Sequence, residues 1–482
     1  MTSLRTTIVL AAAFALAAAG GAADVGREAV GTDASFPVRM VKLAGDPGRP
    51  ETIAHVKHCR SLGFNALWIY SGEAGVWSKE RAPNGPLLDP HFVRLARWCR
   101  RHGMDVWISV NPVADTGGRF VFTDPDDERR LSAFLKLVQE KAGVTRVVLS
   151  FDDQPRELSE LSDIFRYGAG SAPAHLDLVG RVAASLPGDT ALWFCGAAYC
   201  DAHLGDGTGP YAKTFLEGLK ALPPSVGVVW TGPTVVSPSI SRSDLLATRA
   251  RLGGRKLLLY DNFPGSEDDT GMALILGAIR NRDPLMRDQV AAYLSCPSRP
   301  LAGSRLSLAT IAEFLRDPAH YDPEAAAKSA IRVLAGRDPA AVDALRTQQL
   351  EWGGFIGGRN YWPADALNPE LAGKQLHDPA FVESFTWTVS RYPGRMQALS
   401  RVEDAPFRAA LLRMMNRRLA IARAVPLTVE YLARRRAARP DAAETLKLIG
   451  GERRLWDADP DAQRALERFL AAAEIPAAQR PQ

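Results

Sequence analysis

From residue 37 the chain alternates two textures. Short runs rich in β-branched and aromatic residues are followed by longer stretches whose apolar residues recur every three or four positions. The runs predict strands over 38–44, 66–70, 105–110, 145–151, 191–195, 226–231, 256–261 and 291–295. The stretches predict helices over 50–62, 90–102, 126–141, 175–186, 211–222, 243–252 and 272–280, with 306–315 after the last strand. Most strand runs are near-continuously apolar, as in Arg146-Val147-Val148-Leu149-Ser150-Phe151 and Lys256-Leu257-Leu258-Leu259-Tyr260. Strands buried on both faces read this way, and parallel sheets bury both faces. Eight strand–helix units over 37–323 predict an α/β fold of the (β/α)8, TIM-barrel type. An open doubly wound sheet is the alternative, but no glycine-rich phosphate loop follows the first strand. Gly205-Asp206-Gly207-Thr208-Gly209 lies mid-chain before Pro210 and reads as a turn.

After Pro323 the strand texture stops. Helical periodicity continues over 324–335, 339–349, 377–389, 393–402, 406–423, 427–436 and 461–473, which predicts a helical C-terminal domain over 324–482. Asp89-Pro90 and Asp124-Pro125 each place a capping acid before a proline that suits the first helical turn. The segment 353–363, with Trp352, Tyr361 and Trp362, reads as a Gly/aromatic loop that packs the domain junction or lines the barrel mouth.

The first 23 residues stand apart. A short start with Arg5, an apolar run from Ile8 to Ala19 and small residues at Gly21-Ala22-Ala23 describe a secretory signal peptide over 1–23. That implies a secreted or periplasmic protein, in a bacterium on the Ala- and Arg-rich style, with no stable membrane span after signal removal. The remaining composition is that of an ordinary globular chain: 482 residues, 46% hydrophobic and 23% charged. A net charge of +5 from 59 basic and 54 acidic residues is small and scattered, so nucleic acid is not an expected partner. Five cysteines, Cys59, Cys99, Cys195, Cys200 and Cys296, are too sparse for a disulfide framework. No Cys-x-x-Cys or His-Glu-x-x-His occurs, so neither metal nor cofactor is expected; His55 and His58 read as two surface histidines.

In such a barrel, chemistry belongs to the residues just after each strand. The fourth strand is followed by Asp152-Asp153. Adjacent side chains at a strand end diverge, so two acids can serve different parts of one substrate, and their repulsion raises one pKa. The fifth supplies Tyr199 within Phe194-Cys195-Gly196-Ala197-Ala198-Tyr199-Cys200. The sixth ends Trp230-Thr231-Gly232-Pro233-Thr234-Val235-Val236-Ser237, where small residues let backbone approach a ligand. The seventh ends Tyr260-Asp261-Asn262, whose amide both donates and accepts and so suits sugar hydroxyls and amides.

Those four motifs, in this order, resemble the family 84 glycoside hydrolases, the O-GlcNAcase and bacterial β-N-acetylglucosaminidase (hyaluronidase-like) group. The resemblance covers roughly residues 37–325, and its most specific part is the Trp-Thr-Gly-Pro segment. It implies a (β/α)8 catalytic barrel followed by helices, and a retaining hydrolase removing terminal β-linked N-acetylhexosamine (GlcNAc-like) from a glycan or glycoconjugate. The substrate's own acetamido oxygen would attack the anomeric carbon to give an oxazoline, an exception to the two-carboxylate rule. On the same resemblance Asp152 orients the acetamido N–H and Asp153 is the general acid and base. Tyr199 holds the acetamido oxygen, Asn262 binds near the reacting centre, and Tyr260 is pocket wall where the family usually has Trp. Trp230, Glu267 and Asp268 are further expected substrate-binding residues, the acids occupying the slot where the family has an Asp after its Asp-Asn asparagine.

The sequence departs from the family where the sugar hydroxyls are gripped. The first strand ends Leu43-Ala44-Gly45-Asp46 instead of a Gly-Phe-Tyr-Gly-like turn. The second ends Tyr70-Ser71-Gly72-Glu73 with no Lys, and Cys296-Pro297 replaces Asn-Pro after the eighth. A catalytically inactive carbohydrate-binding or interaction protein on the same barrel is therefore the alternative. A hydrolase of plain glycosides is disfavoured, because adjacent residues flank one anomeric carbon poorly.

Overall fold

A computed structural model describes residues 35–43, 45–265, 274–352, 376–437 and 460–473. The expected signal peptide, Glu267, Asp268 and the 353–363 loop lie outside the described residues. The eight strands form at Arg39–Lys42 (β1), Ala66–Tyr70 (β2), Asp105–Val110 (β3), Arg146–Ser150 (β4), Ala191–Cys195 (β5), Gly227–Trp230 (β6), Leu257–Pro264 (β7) and Ala292–Cys296 (β8). All pair in parallel, each with its sequence neighbours, and β1 closes on β8. The fold is thus a closed (β/α)8 barrel.

Strand alternation sorts the apolar residues into two layers. Met40, Trp68, Trp107, Val148, Trp193, Val229 and Leu258 fill the barrel interior. Val41, Leu67, Val147, Phe194, Val228 and Leu259 point outward to the helices. One glycine makes room inside: a Cβ on Gly227 would lie 2.2 Å from the Trp193 ring that occupies its place. The covering helices are Pro50–Leu62 (α1), Pro90–Arg101 (α2), Pro125–Ala142 (α3), Ala172–Ser185 (α4), Pro210–Leu219 (α5), Arg242–Arg251 (α6) and Arg305–Arg316 (α7). Asp89 and Asp124 cap α2 and α3 as expected, accepting from the backbone N–H two residues on at 2.6 and 2.8 Å.

The helix expected over 272–280 does not form among the described residues; 274–280 is irregular. Residues 274–279 are buried on all sides, so the run has no solvent face from which to read a period. Its backbone is satisfied by α7 instead. Ser307 Oγ lies 2.6 and 2.9 Å from the Ile275 and Gly277 carbonyls, and Ile279 N–H donates to Thr310 Oγ1 at 3.2 Å.

Beyond the barrel the chain is helical at Pro323–Ala335 (α8), Pro339–Trp352 (α9), Pro379–Ser390 (α10), Tyr392–Leu399 (α11), Ala405–Arg436 (α12) and Pro460–Ala472 (α13). A break was expected between 423 and 427, yet α12 runs through Pro426. An interior proline costs about 3 kcal/mol, and burial of Leu411, Met415 and Val425 before it and Tyr431 after it outweighs that. These helices share an apolar core with Leu274, Leu276 and Leu306. Arg305 at the start of α7 pairs with Asp404, which also caps α12 by accepting from Phe407 N–H at 2.9 Å.

The histidine expectation needs correction. His55 is buried in α1, with Nε2 3.5 Å from Cys59 Sγ one turn on. Burial and the nearby His58 and Arg305 pull its pKa down to about 3, so it is a neutral core side chain. All five cysteines are free thiols. No described helix is long and apolar enough to cross a membrane.

Candidate active site

Side chains from six strand ends meet in a cavity of about 150 Å³ at the C-terminal mouth of the barrel. β4 supplies the acids. After Ser150 the chain turns, with Gln154 N–H donating to the Phe151 carbonyl at 3.3 Å. Asp153 sits in this turn at φ 58°, a left-handed conformation that glycine adopts freely and other residues avoid by roughly 1–2 kcal/mol. The turn throws the two carboxylates in different directions. Asp152 Oδ1 accepts from the Ser150 hydroxyl, two residues back on the strand. Asp153 Oδ1 accepts from the Tyr199 hydroxyl at 2.5 Å. Asp152 is half-buried, whereas Asp153 is exposed at the rim.

Tyr199 is placed by backbone. Its carbonyl accepts from Thr231 N–H at 2.8 Å, which joins the loops after β5 and β6. The β6 loop folds on itself through Thr231 Oγ1, which donates to the Thr234 carbonyl at 2.9 Å, and Ser237 Oγ, which accepts from Thr234 N–H at 3.1 Å. Gly232 takes φ 102° there, and a Cβ on it would come within 2.8 Å of Ser237 Oγ. The loop brings Val235 over the cavity, where its carbonyl accepts from Asn262 Nδ2 at 2.7 Å. Beneath, Asp261 forms a two-point ion pair with Arg282 at 2.7 and 2.9 Å and accepts from the Tyr293 hydroxyl. Arg282 also donates to the Ser237 carbonyl at 3.1 Å, so this buried group ties β7 to the β6 loop.

The opposite wall comes from β1, β2 and β7. Trp68 and Tyr260 meet edge to face at 5.7 Å. The Lys42 ammonium lies 4.9 Å from the Tyr70 ring centre and 5.9 Å from that of Tyr260. It makes no hydrogen bond with the described residues beyond these ring contacts and longer-range attraction to Asp152 and Glu73.

Charge and burial both act on Asp152. Burial holds the Asp152 carboxyl above the usual carboxylate range. The Ser150 hydroxyl pulls it back, the Asp153 charge pushes it up, and Lys42 pulls it down. Burial, ahead of repulsion from its neighbour, is therefore the main cause of the Asp152 shift. Burial and the Asp153 carboxylate push the Tyr199 phenol up, so it stays a neutral donor. The Cys195 thiol is likewise raised by burial and is not a nucleophile.

The cavity thus brings together Asp152, Asp153, Tyr199, Asn262 and Tyr260. Trp230 does not join them. It is fully buried on the outer face of β6 among the helix-facing residues, because alternation gives the inward position to Val229. Sequence reasoning missed Ser150, Lys42, Tyr70 and Thr231. Lys42 was findable: inward Met40 predicts that Lys42, two residues on at the strand end, faces the mouth. A larger hollow of about 570 Å³ lies between α8 and α9, but alkyl chains such as Ile331, Val342 and Leu350 dominate it and it holds no acid pair. Among the described residues no group of three or more metal-ligating side chains converges.

Residues 88–349 match the protein family described as beta-N-acetylglucosaminidase (NAGidase). The fold is similar to that of a mutant O-GlcNAc hydrolase from Thermobaculum terrenum, with a TM-score of 0.62 and 18% identity over 91% of this chain and 94% of that one. It is also similar to CpGH84B, with a TM-score of 0.59 and 16% identity over 89% of this chain and 77% of that one.

Proposed function

The chain belongs to the β-N-acetylglucosaminidase family, glycoside hydrolase family 84, and is a glycosidase of that type; from this premise we propose that it removes terminal β-linked N-acetylhexosamine by substrate-assisted catalysis. The observation that carries the reading is the divergence of two adjacent carboxylates to different partners within one cavity. A nucleophile and an acid facing each other across a glycosidic bond would sit about 5 Å apart on separate elements. Neighbouring residues of one turn suit a division of labour instead.

In the proposed reaction Asp152 accepts the acetamido N–H and stabilises the charge that grows there as the acetamido oxygen bonds to the anomeric carbon. Asp153 gives its proton to the departing glycosidic oxygen, and the oxazoline forms. Asp153 then takes a proton from water as that water attacks the anomeric carbon, the ring opens, and retained configuration results. Burial alone nominates Asp152 as the acid, since a raised pKa favours the protonated form. Position argues the other way: Asp153 is at the exposed rim, where an aglycone must leave, and Asp152 is the deeper group. The Tyr199 hydroxyl, resting on Asp153, would turn to the acetamido oxygen when the sugar enters. Asn262 keeps its amide oxygen available while its N–H₂ is held by Val235. The natural target would be a glycan or glycoconjugate bearing N-acetylhexosamine. The N-terminal 1–23 segment supports a secreted or periplasmic location.

The test uses residues 24–482 with aryl 2-acetamido-2-deoxy-β-glucosides beside plain aryl β-glucosides. Turnover confined to the acetamido substrates, with retained configuration, is the expected result. Turnover of the plain glucosides at a comparable rate overturns the mechanism.

A further inference from the structure

The reaction proposed above needs Asp152 as an anion, yet Asp152 is the acid that its surroundings push toward neutrality. Asp153 stands next to it, the Tyr70 phenol, the Tyr199 phenol and the Cys195 thiol face the same space from β2 and the β5 end, and none of these carries a positive charge. Lys42 is the single cation lining the cavity among the described residues, and it is engaged by the Tyr70 and Tyr260 rings. Besides the backbone N–H of Asp152 itself, one side chain donates to the carboxylate directly. The Ser150 hydroxyl donates to Asp152 Oδ1.

Three features make this contact a fixed device. Ser150 belongs to β4 and pairs in register with Cys195 of β5, so its backbone cannot drift. It is almost fully buried, so water does not compete for its hydroxyl. It lies two residues before Asp152, on the same side of the strand, so both point into the mouth. No other side chain among the described residues donates to the Asp152 carboxylate, which lines the cavity.

We propose that Ser150 is the positioning residue of the site: its hydroxyl holds one oxygen of Asp152 so that the carboxylate stays charged and presents the other oxygen to the acetamido N–H. The proposal rests on the reading of Asp152 given above. It differs from a role in packing, because alanine at 150 keeps the strand and removes only the donor. A hydrogen bond to a charged group that is lost this way lowers kcat/KM roughly ten- to a hundredfold.

The experiment compares wild type, Ser150→Ala and Ser150→Thr. Two readouts are taken on each: the pH profile of kcat/KM on an aryl acetamido-glucoside, and the titration of the Asp152 carboxyl by NMR of protein carrying ¹³C-aspartate, its signal assigned by its absence in Asp152→Asn. Removing the donor destabilises the ionised form, so Asp152 titrates at higher pH and the acidic limb moves up with it. The expected result is this upward displacement in Ser150→Ala, with the melting temperature unchanged and both readouts returned by Ser150→Thr. An Asp152 titration unmoved by Ser150→Ala overturns the proposal, whatever the activity. A moved titration on an enzyme that turns over no acetamido substrate sustains the role of Ser150 and overturns the catalytic reading instead.

Discussion

The two walls of the cavity differ in what they carry. The β4–β5 wall holds charge under tight control: each carboxylate has its own hydroxyl donor, from Ser150 and from Tyr199. The facing wall of β1, β2 and β7 holds one ammonium resting on aromatic rings, with Trp68, Tyr70 and Tyr260 around it. Bond-making tolerates little displacement, since a reacting group misplaced by an ångström loses much of its effect. Recognition of a hydroxyl tolerates a donor from another strand, provided that its tip reaches the same space. On the proposed roles the acid wall is therefore the stricter of the two, and the facing grip wall the more permissive. Lys42, at the end of β1 beside β2, is the cation of this wall.

The sharpest way to break this contrast is at Asp153. Replacement by Asn removes the proton donor and keeps the shape, so kcat/KM on substrates with poor leaving groups should fall by about 10²–10⁴. Substrates with good leaving groups should lose far less. Asp153 occupies a left-handed backbone position that asparagine and glycine tolerate better, so thermal unfolding should show Asp153→Asn no less stable than wild type. A loss of activity that tracks a loss of stability would place Asp153 in the scaffold and not in the chemistry.

The next effect is on folding. Asp261 and Arg282 are 1% and 2% exposed, so removing one partner strands a buried charge. Arg282→Met should cost about 3–5 kcal/mol, read by chemical denaturation. It should also release the Ser237 carbonyl and with it the β6 loop that carries Val235 against Asn262. The double change Asp261→Leu with Arg282→Met should recover most of that stability, because an apolar pair of similar volume avoids the desolvation of two ions. Activity should remain low in the double variant, since the loop is still untied.

What could be read from the sequence follows the same division. The strands were legible because burial on both faces writes long apolar runs, whereas the acid pair, which taken alone could equally cap a helix or hold a loop, stood out only because the Tyr199, Trp230-Thr231-Gly232-Pro233 and Asp261-Asn262 segments follow it in order on consecutive strands. Three matters were hidden. Residues 274–279 bury every side and are held by Ser307 and Thr310 from thirty or so residues away, which no local window contains. Trp230 stands in the most specific motif yet faces the helices, because a motif marks a segment and alternation decides which of its residues look inward. His55 was expected on the surface because one helix turn gives no sign of what packs over it.

Tyr199 is the third place to press. Its hydroxyl donates to Asp153 and is proposed to serve the acetamido oxygen once the sugar is bound. Tyr199→Phe removes the donor and leaves the ring, which packs against His203 with centroids 4.6 Å apart. The loss in kcat should be about ten- to a hundredfold, as for one hydrogen bond to a developing charge. If the hydroxyl served only to hold Asp153, the loss would be confined to poor leaving groups, as for Asp153→Asn. If it holds the attacking oxygen, good and poor leaving groups should suffer alike.

The mildest effect should come from the facing wall. Lys42 is inward on β1, reaches the cavity over Tyr70, and has no hydrogen-bond partner among the described residues, so its donors are available to a sugar. Lys42→Met keeps the alkyl stem against the rings and removes the charge. If the grip wall binds ground state and transition state alike, KM should rise about tenfold with kcat little changed, the signature of lost uniform binding. One complication has a definite sign. Lys42 also attracts the Asp152 carboxylate, so removing it should move the acidic limb of the pH profile upward, in the same direction as Ser150→Ala but by less, because the ammonium acts from across the cavity and the hydroxyl in contact. A kcat that collapses in Lys42→Met at a pH well above that limb would put the lysine on the reacting side, and the distinction between the walls would fail.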